Sequence, residues 1–457
     1  MTGDTSVARL LEGISVVRTE GVGIDGLIIG KHLSRAKFER SLPIGPALSD
    51  IMLLLDLRGQ PAVAWFDDWR QHAFGDVHQR PDLATLVRIG HRPGFATCIA
   101  DHVDVGGEPL PVCPRSNLKR VVERLASHGL AARASIEIEG FVFAESYDEA
   151  RAKKYRDLTP LGVPRQVGYV THDAYRMHTF MDEVVRRLDG MNIAWDAWVD
   201  EAAPGQFEIN FPASDPVTAA DTAMRARAVF KETAIDQGHS VTFMAKPTET
   251  YGSGGHIHHS LTRDGAPVFY DASATGNRSQ LMRHWIGGLM ATMPAAHSFL
   301  TPNMNSYRRM VDFQAAPNVA TWDEENKSTA LRVVSRSESL ARVEHRVGSA
   351  DINPYLALAA VLAGGIVGIE QAIEPPPETK ILAWGLPDTF PHLPKSILAS
   401  AEALEADKAL VDVIGPVMCS HWVNTRRWEW TMFHTTGGDA EATTVTDWEL
   451  DSYFELV

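Results

Sequence analysis

Hydrophobic positions along this chain recur with two different periods. In the first hundred or so residues they form short strand-like runs, Ile51–Leu55, Ala62–Phe66 and Phe95–Ala100, separated by Gly, Pro and Asp turns. Pro114 then opens a helix, Ser116–His128, with basic and apolar residues at helical spacing. Beyond it strands and helices alternate. Strands are expected at Ala134–Phe143, Gly205–Phe211, Ser240–Lys246, Gly255–Leu261, Ala330–Ser335 and Arg342–Val347, and helices at His172–Leu188, Asp215–Gln237, Asn277–His297 and Asn353–Ala372. Two of these helices start with a capping side chain before a proline, Asp215-Pro216 and Asn353-Pro354. The change of pattern places a domain boundary near Val112–Arg115, giving residues 1–113 and 114–457.

Several of the strands carry charged residues on alternate positions: Glu137-Ile-Glu139, Gln206-Phe-Glu208, His256-Ile-His258 and Arg342-Val-Glu344-His-Arg346. Because a strand has period two, each set faces one side of a sheet. Two carboxylates about 6–7 Å apart repel by roughly 2.5 kcal/mol at an effective dielectric near 20, so such a face needs cations. Glu137, Glu139, Glu201, Glu208 and Glu344 with His256 supply five hard oxygen donors and one imidazole, a set suited to Mg²⁺ or Mn²⁺ rather than zinc. Taken singly, each glutamate reads equally as a solvated strand residue or an ion-pair partner. Glu137 and Glu139, however, lie inside an apolar run, where unpaired charge is costly. Arg309, Arg332, Arg342, Arg346 and Lys327 lie between or beside these strands and suit carboxylates and phosphates. The glycine-rich stretch Tyr251-Gly-Ser-Gly-Gly-His256 allows close backbone approach to a ligand and positive φ. Together these features indicate a metal-dependent enzyme of phosphate chemistry.

Composition narrows the picture further. At 44% hydrophobic and 22% charged, the 457 residues are those of an ordinary globular protein. A formal charge of −15 with no basic stripe argues against nucleic acid. Three cysteines without a C-x-x-C pair, and a polar Met1–Gly13 with no signal-peptide pattern, lead to the expectation of a reduced, cytoplasmic protein. The longest apolar run, Tyr355–Ile369, is short for a membrane span and is expected to be a buried helix.

From Pro111 onward the chain resembles the glutamine synthetase superfamily. The resemblance rests on I-E-I-E-G-F at 136–141, P-G-Q-F-E-I at 204–209, T-F-M-A-K-P at 242–247, G-S-G-G-H-I-H-H-S at 252–260, N-S-Y-R-R at 305–309, R-V-E-H-R at 342–346 and N-P-Y-L-A at 353–357. It implies an α+β fold, a small N-terminal β-grasp-like domain followed by a large catalytic α/β domain with a curved antiparallel sheet. It also implies a ligase in which ATP phosphorylates the γ-carboxylate of glutamate and an amine nitrogen displaces the phosphate, with two or more Mg²⁺ or Mn²⁺ ions per site. By resemblance, Glu139, Glu201 and Glu208 hold the metal near glutamate, and Glu137, His256 and Glu344 the metal near the ATP phosphates. Arg309 and Arg346 clamp glutamate beside the Gly252 backbone. Arg332 and Arg342 attend the phosphates, and His258 and Ser260 the nucleotide. Arg309, Lys327 and Arg332 take the catalytic roles. Family members form rings, commonly two stacked hexamers with active sites between subunits, so a homododecamer is the implied assembly.

Departures from the family pattern concern the amine. Ala315 stands where ammonia-using members carry an acidic flap residue, Tyr251 replaces an Asn, and Trp65-Phe-Asp-Asp-Trp69 stands in place of the F-D-G-S motif of the ammonium pocket. Lys327 replaces an Arg, keeping the charge without the fork. These changes point to an amine larger than ammonia, with Tyr251, Ala315 and Trp65 as candidate pocket residues. An ammonia-using glutamine synthetase and a non-catalytic assembly protein are the alternatives.

Overall fold

The computed structural model describes residues 4–62, 74–165, 167–249, 251–312, 315–384, 387–439 and 442–457. The first sheet falls within residues 16–103. Its strands are β1 (Val16–Val22), β2 (Ile28–Ile29), β3 (His32–Ser34), β4 (Ala47–Ser49), β5 (Asp76–Pro81), β6 (Val87–Arg88) and β7 (Phe95–Val103). They run in the order β2-β1-β7-β5-β4, with β3 against β1 and β6 against β7. β1 and β7 lie parallel, Val16 opposite Phe95, and the other pairs are antiparallel. One expected strand is absent: Ile51–Leu55 forms a 3-10 turn over Asp50–Leu53, and only Leu55 makes an isolated bridge, to Pro61. The neighbouring side chains of Leu53 and Leu54 are both buried, which an alternating strand with one solvated face cannot achieve. Of Ala62–Phe66, residues 63–66 lie outside the described residues.

The next ten strands are β8 (Ala131–Ile136), β9 (Ile138–Phe143), β10 (Ala197–Asp200), β11 (Gln206–Asn210), β12 (Ser240–Thr242), β13 (Ile257–Arg263), β14 (Ala266–Pro267), β15 (Trp322–Glu324), β16 (Leu331–Val334) and β17 (Arg342–His345). They make two curled sheets rather than one. The four-stranded sheet is ordered β10-β11-β9-β12, and the six-stranded sheet β14-β13-β17-β16-β15, with β8 also on β13. All pairs are antiparallel except β15 with β16. The single strand expected over Ala134–Phe143 breaks at Glu137: Ile136 pairs with Ile257 in the larger sheet, and Ile138 with Ile209 in the smaller. At the break the Glu137 N–H donates to the His256 carbonyl at 2.9 Å, so the polypeptide crosses between sheets without leaving a donor unpaired.

Helices pack on the outer faces of these sheets. Pro114–Ser127 begins with proline at its first turn. The helix expected over His172–Leu188 is instead a short turn, Thr171–Ala174, a 3-10 step, Tyr175–Met177, and a helix proper at His178–Gly190. Pro216–Gln237 is capped by the Asp215 side chain on Thr218 N–H and ends at Gly238 with φ +70°. Pro354–Gln371 is long and apolar enough to cross a membrane, but 83% of it is buried inside the protein. It lies against Gln280–Leu300, and the two backbones nearly touch: a Cβ on Gly288 would sit 2.2 Å from the Gly364 carbonyl oxygen. Asn353 caps this helix through Tyr355 and Leu356 N–H, and its amide donates to the carbonyls of Gly23 and Ile24, tying the helix start to the end of β1. Cys98, Cys113 and Cys419 are free and buried.

Candidate active site

The two curled sheets meet at a cleft of about 480 Å³. Register explains how the glutamates converge there. Glu139 on β9 stands directly opposite Glu208 on β11, an arrangement of like charges that destabilises a sheet unless something cationic intervenes. Glu201, just after β10, reaches the same cleft. On the larger sheet one cross-strand row runs from Ser135 on β8 through His258 on β13 and Glu344 on β17 to Arg332 on β16. Glu137 follows the end of β8 and links the two groups.

Each carboxylate is held by specific donors. Glu139 is buried and accepts from the Gly254 N–H at 2.7 Å and from Gln206 Nε2 at 3.0 Å. Glu137 receives His256 Nδ1 at 3.1 Å and His258 Nε2 at 2.8 Å. Burial alone would raise its pKa, but these two imidazoles outweigh it and hold the carboxyl well below the usual range. Glu344 accepts from Arg332 at 2.8 Å and from Arg346; against the effect of burial, Arg346 and the two histidines bring it down to about 2. The other group behaves in the opposite way. Burial and the charges of Glu137 and Glu139 push Glu208 up to about 8, and burial with Glu139 raises Glu201. Carboxylates brought this close together have the donor chemistry of a divalent-cation site. Ligand atoms of Glu137, His258 and Glu344 lie within 4.8 Å of one another, and His256 Nδ1 lies 3.8 Å from Glu344. Both histidines of the H-x-H pair therefore approach the same carboxylates, although the sequence assigned only His256 to a metal.

The glycine loop works by close approach. None of Gly252, Gly254 and Gly255 has positive φ, which corrects that part of the expectation. A Cβ on Gly254 would instead lie 2.7 Å from His256 Nε2 and 3.0 Å from Glu139 Oε1. Arg309 is buried, donates to the Val347 carbonyl at 2.9 Å, and has its pKa lowered by burial to about 10. It lines the cleft with Arg346, Arg332, Lys327 and Lys246. Tyr251 and Ala315 also line it. Arg342 and Ser260 do not appear among the described lining residues; Arg342 Nε donates to His258 Nδ1 at 3.4 Å, and Ser260 lies two residues further along the same face of β13. Trp65 lies outside the described residues.

Sequence reading missed two residues that line this cleft, Tyr169 and Trp384, and one that supports it from beside, Asn210. Tyr169, at φ +62° and exposed, donates its hydroxyl to Glu201 at 3.0 Å. Asn210 donates to Glu208 at 3.0 Å; extending the alternate-residue pattern from Gln206 and Glu208 by one step would have found it. Trp384 also lines the cleft, and nothing in its local sequence signals this.

A fold of two curled sheets enclosing a hard-cation donor set, flanked by arginines, defines an enzyme class acting on phosphate and carboxylate groups. Residues 111–453 match the model of the glutamine synthetase catalytic domain, and the chain belongs to the glutamine synthetase family. It is 34% identical to the γ-glutamylethanolamide synthetase of Streptomyces coelicolor over 84% of this chain and 80% of that one. It is 32% identical to the glutamine synthetase of Thermus thermophilus over 97% of this chain and 96% of that one. Among solved structures, ligand-free GmaS superposes with a TM-score of 0.82 at 24% identity, covering 98% of both chains. Similarity to both kinds of relative leaves the acceptor to be decided by the site.

Proposed function

We propose that the protein is an ATP-dependent ligase that joins the γ-carboxylate of L-glutamate to an amine, giving a γ-glutamylamide, ADP and phosphate. The observation that carries this reading is the convergence of six metal-type ligands, Arg309 and Arg346 in one cleft whose remaining wall includes Tyr251, Ala315, Ala316 and Trp384. Glu139, Glu201 and Glu208 would hold one Mg²⁺ or Mn²⁺ and Glu137, His256 and Glu344 another, the bound ions supplying neutralisation of phosphate oxygens. Arg309, Arg346 and the Gly252 backbone orient glutamate. Its γ-carboxylate oxygen attacks the terminal phosphorus of ATP, the bond to the β-phosphate oxygen breaks, and ADP leaves. Arg332 and Lys327 balance the charge that accumulates on the transferred group. The neutral amine then forms the C–N bond, phosphate departs from the same carbon, and the nitrogen loses a proton.

Similarity to the ethanolamide-forming relative supports an acceptor larger than ammonia, as does Ala315 at the position of an acidic flap residue. The same reading places the active protein in the cytoplasm, divides it at residue 113 into two domains, and has Arg342, His258 and Ser260 facing the nucleotide. It also implies two stacked hexameric rings with active sites between subunits, and Trp65 remains a candidate residue of the amine pocket. Native mass spectrometry tests the assembly, and a stable active monomer would contradict it. The reaction is tested by phosphate release with glutamate, ATP, Mn²⁺ and a panel of amines. Turnover with ammonia alone, and with no other amine, would overturn the amine-ligase reading. Mn²⁺ with ATP should also raise the thermal midpoint, by the equivalent of about 2.7 kcal/mol at a hundredfold excess over Kd, and chelation should reverse it.

A further inference from the structure

A second cavity, of about 290 Å³, lies between the Asp25–Ile28 turn after β1, the second half of the Pro216–Gln237 helix and residues Glu455–Val457. Its wall carries two cations on one helix face, Arg227 and Lys231. Among the described residues neither has a carboxylate partner. Lys231 Nζ donates to the Glu455 carbonyl at 2.8 Å; an ammonium has three N–H donors, so two are left over. Arg227 donates to the Ile352 carbonyl at 2.7 Å and the Ala350 carbonyl at 2.5 Å, while its Nε–H is buried with no partner. Burial pulls Arg227 down to about 10, and burial together with Arg227 pulls Lys231 down to about 7; Asp351 and Glu455 offset this only in part. The carboxylates on the same wall are committed elsewhere: Asp25 to Arg426, Glu232 to Arg18, Asp351 to Asn303 and Ser306, and Glu455 to Arg151 and Tyr155. The Val457 oxygen accepts from Phe243 N–H at 3.1 Å. Much of the remaining wall is apolar: Leu27, Ile28, Met224, Ile235 and Leu456, of which Ile235 is 63% exposed.

We infer that this cavity binds a small carboxylate with an apolar body, and that its occupant acts on the glutamate site through Arg227. One carboxylate offers two oxygens to the spare donors of Arg227 and Lys231. The acidic side chains on the wall disfavour a phosphate or a dicarboxylate, whose second charge would meet them. The volume admits a body of several carbons, for which Leu27, Ile28 and Ile235 provide contact. Arg227 leads from this cavity to the cleft. The two carbonyls it holds flank Asp351, which accepts from Asn303 and Ser306 on the segment leading to Arg309. Ala350 N–H donates to the Ser253 carbonyl of the glycine loop at 3.0 Å. Filling the cavity orders Arg227 and the backbone that it holds, which favours the glutamate site. That effect rests on the ligase reading; binding in the cavity does not.

Hexanoate, acetate and hexylamine are the probes, titrated calorimetrically into the whole protein with Mn²⁺, ADP and glutamate filling the cleft. We expect hexanoate to bind at least ~10-fold tighter than acetate, and hexylamine not to bind. Lys231→Gln, which keeps a donor for the Glu455 carbonyl, should weaken hexanoate ~10-fold or more. Ile235→Ala, at an exposed position, should narrow the hexanoate-to-acetate ratio and guards against a folding defect. Saturating hexanoate should lower the KM for glutamate about fivefold in the wild type and leave it unmoved in Lys231→Gln. Hexanoate binding that survives Lys231→Gln, equal binding of hexylamine, or a wild-type KM that is unmoved or rises overturns this inference while leaving the ligase intact. Absence of glutamate-dependent ADP formation with every amine and with ammonia overturns the ligase reading and leaves the calorimetric result standing.

Discussion

A methyl group placed on Gly252 would lie 2.6 Å from the Ala245 carbonyl oxygen and 2.8 Å from Arg309 Cγ. The first neighbour is backbone and cannot swing aside, so the displacement must fall on the loop or on Arg309. Gly252→Ala is therefore expected to lower kcat/KM by about 10²-fold, the cost of misplacing a reacting group by roughly 1 Å, with a higher KM for glutamate, both read from steady-state kinetics. Wild-type constants would show that the loop relaxes without moving Arg309. At this scale the sequence was informative about chemistry and poor about cause. It indicated glycine for conformational freedom, whereas Gly252, Gly254 and Gly255 serve close packing against Arg309, His256 and Ser349. Tyr169 and Trp384 were illegible because their roles arise from long-range contacts, with Glu201 and with the Lys327 turn, that no local pattern encodes.

Single side chains also hold whole elements in register. Asp351 is buried and joins two segments that flank the cleft: it accepts from Asn303 at 2.9 Å and Ser306 at 2.8 Å on the segment leading to Arg309, and from Ser349 at 2.5 Å on its own. Next to it, Ala350 N–H donates to the Ser253 carbonyl at 3.0 Å, so the glycine loop is bound to the same point. Asp351→Asn removes a charge that strengthens three hydrogen bonds, each worth roughly 1.5–3 kcal/mol when one partner is ionised. The expected result is a KM for glutamate raised about tenfold, equivalent to ~1.4 kcal/mol, with the KM for ATP little changed; equal movement of both constants would mean general loosening. Elements differed in legibility for reasons of this kind. The capped helices at Asp215 and Asn353 were readable from local rules. β1 was not, because Arg18, Thr19 and Glu20 occupy it and, beside the Arg18–Glu20 pair, need Glu232, Gln79 and Arg225, partners distant in sequence. The strand over residues 134–143 had a correct pattern, but its division between two sheets is set by β11 and β13, which claim opposite sides of Glu137.

Across the whole molecule, buried ion pairs join the N-terminal sheet to the helices behind the cleft. Arg115 bridges Asp82 at 2.8 Å, Asp101 at 3.1 Å and Asp221 at 2.9 Å, and the Tyr355 hydroxyl donates to Asp221 at 2.6 Å. Glu20 on β1 is fully buried and pairs with Arg225 of the Pro216–Gln237 helix at 2.8 Å and with Arg18 at 2.7 Å. Burial opposes ionisation of Glu20, but Arg225 and Arg18 prevail and its pKa lies below the ordinary 4.5. A carboxyl depressed in the folded state stabilises above its unfolded pKa, and that contribution is lost as pH falls through the lower, folded value. Glu20→Gln leaves Arg225 buried without its charge partner, a change that typically costs roughly 3–5 kcal/mol. The thermal midpoint of the variant should therefore fall well below that of the wild type near neutral pH. As pH falls from 4.5 through the lower folded value the gap should shrink, because the unfolded chain takes up the Glu20 proton first and the native carboxylate last, after which the two proteins share one charge state. A gap that persists unchanged into acid would show that Glu20 acts through packing, and that the sheet is held to the helices by shape instead of by charge.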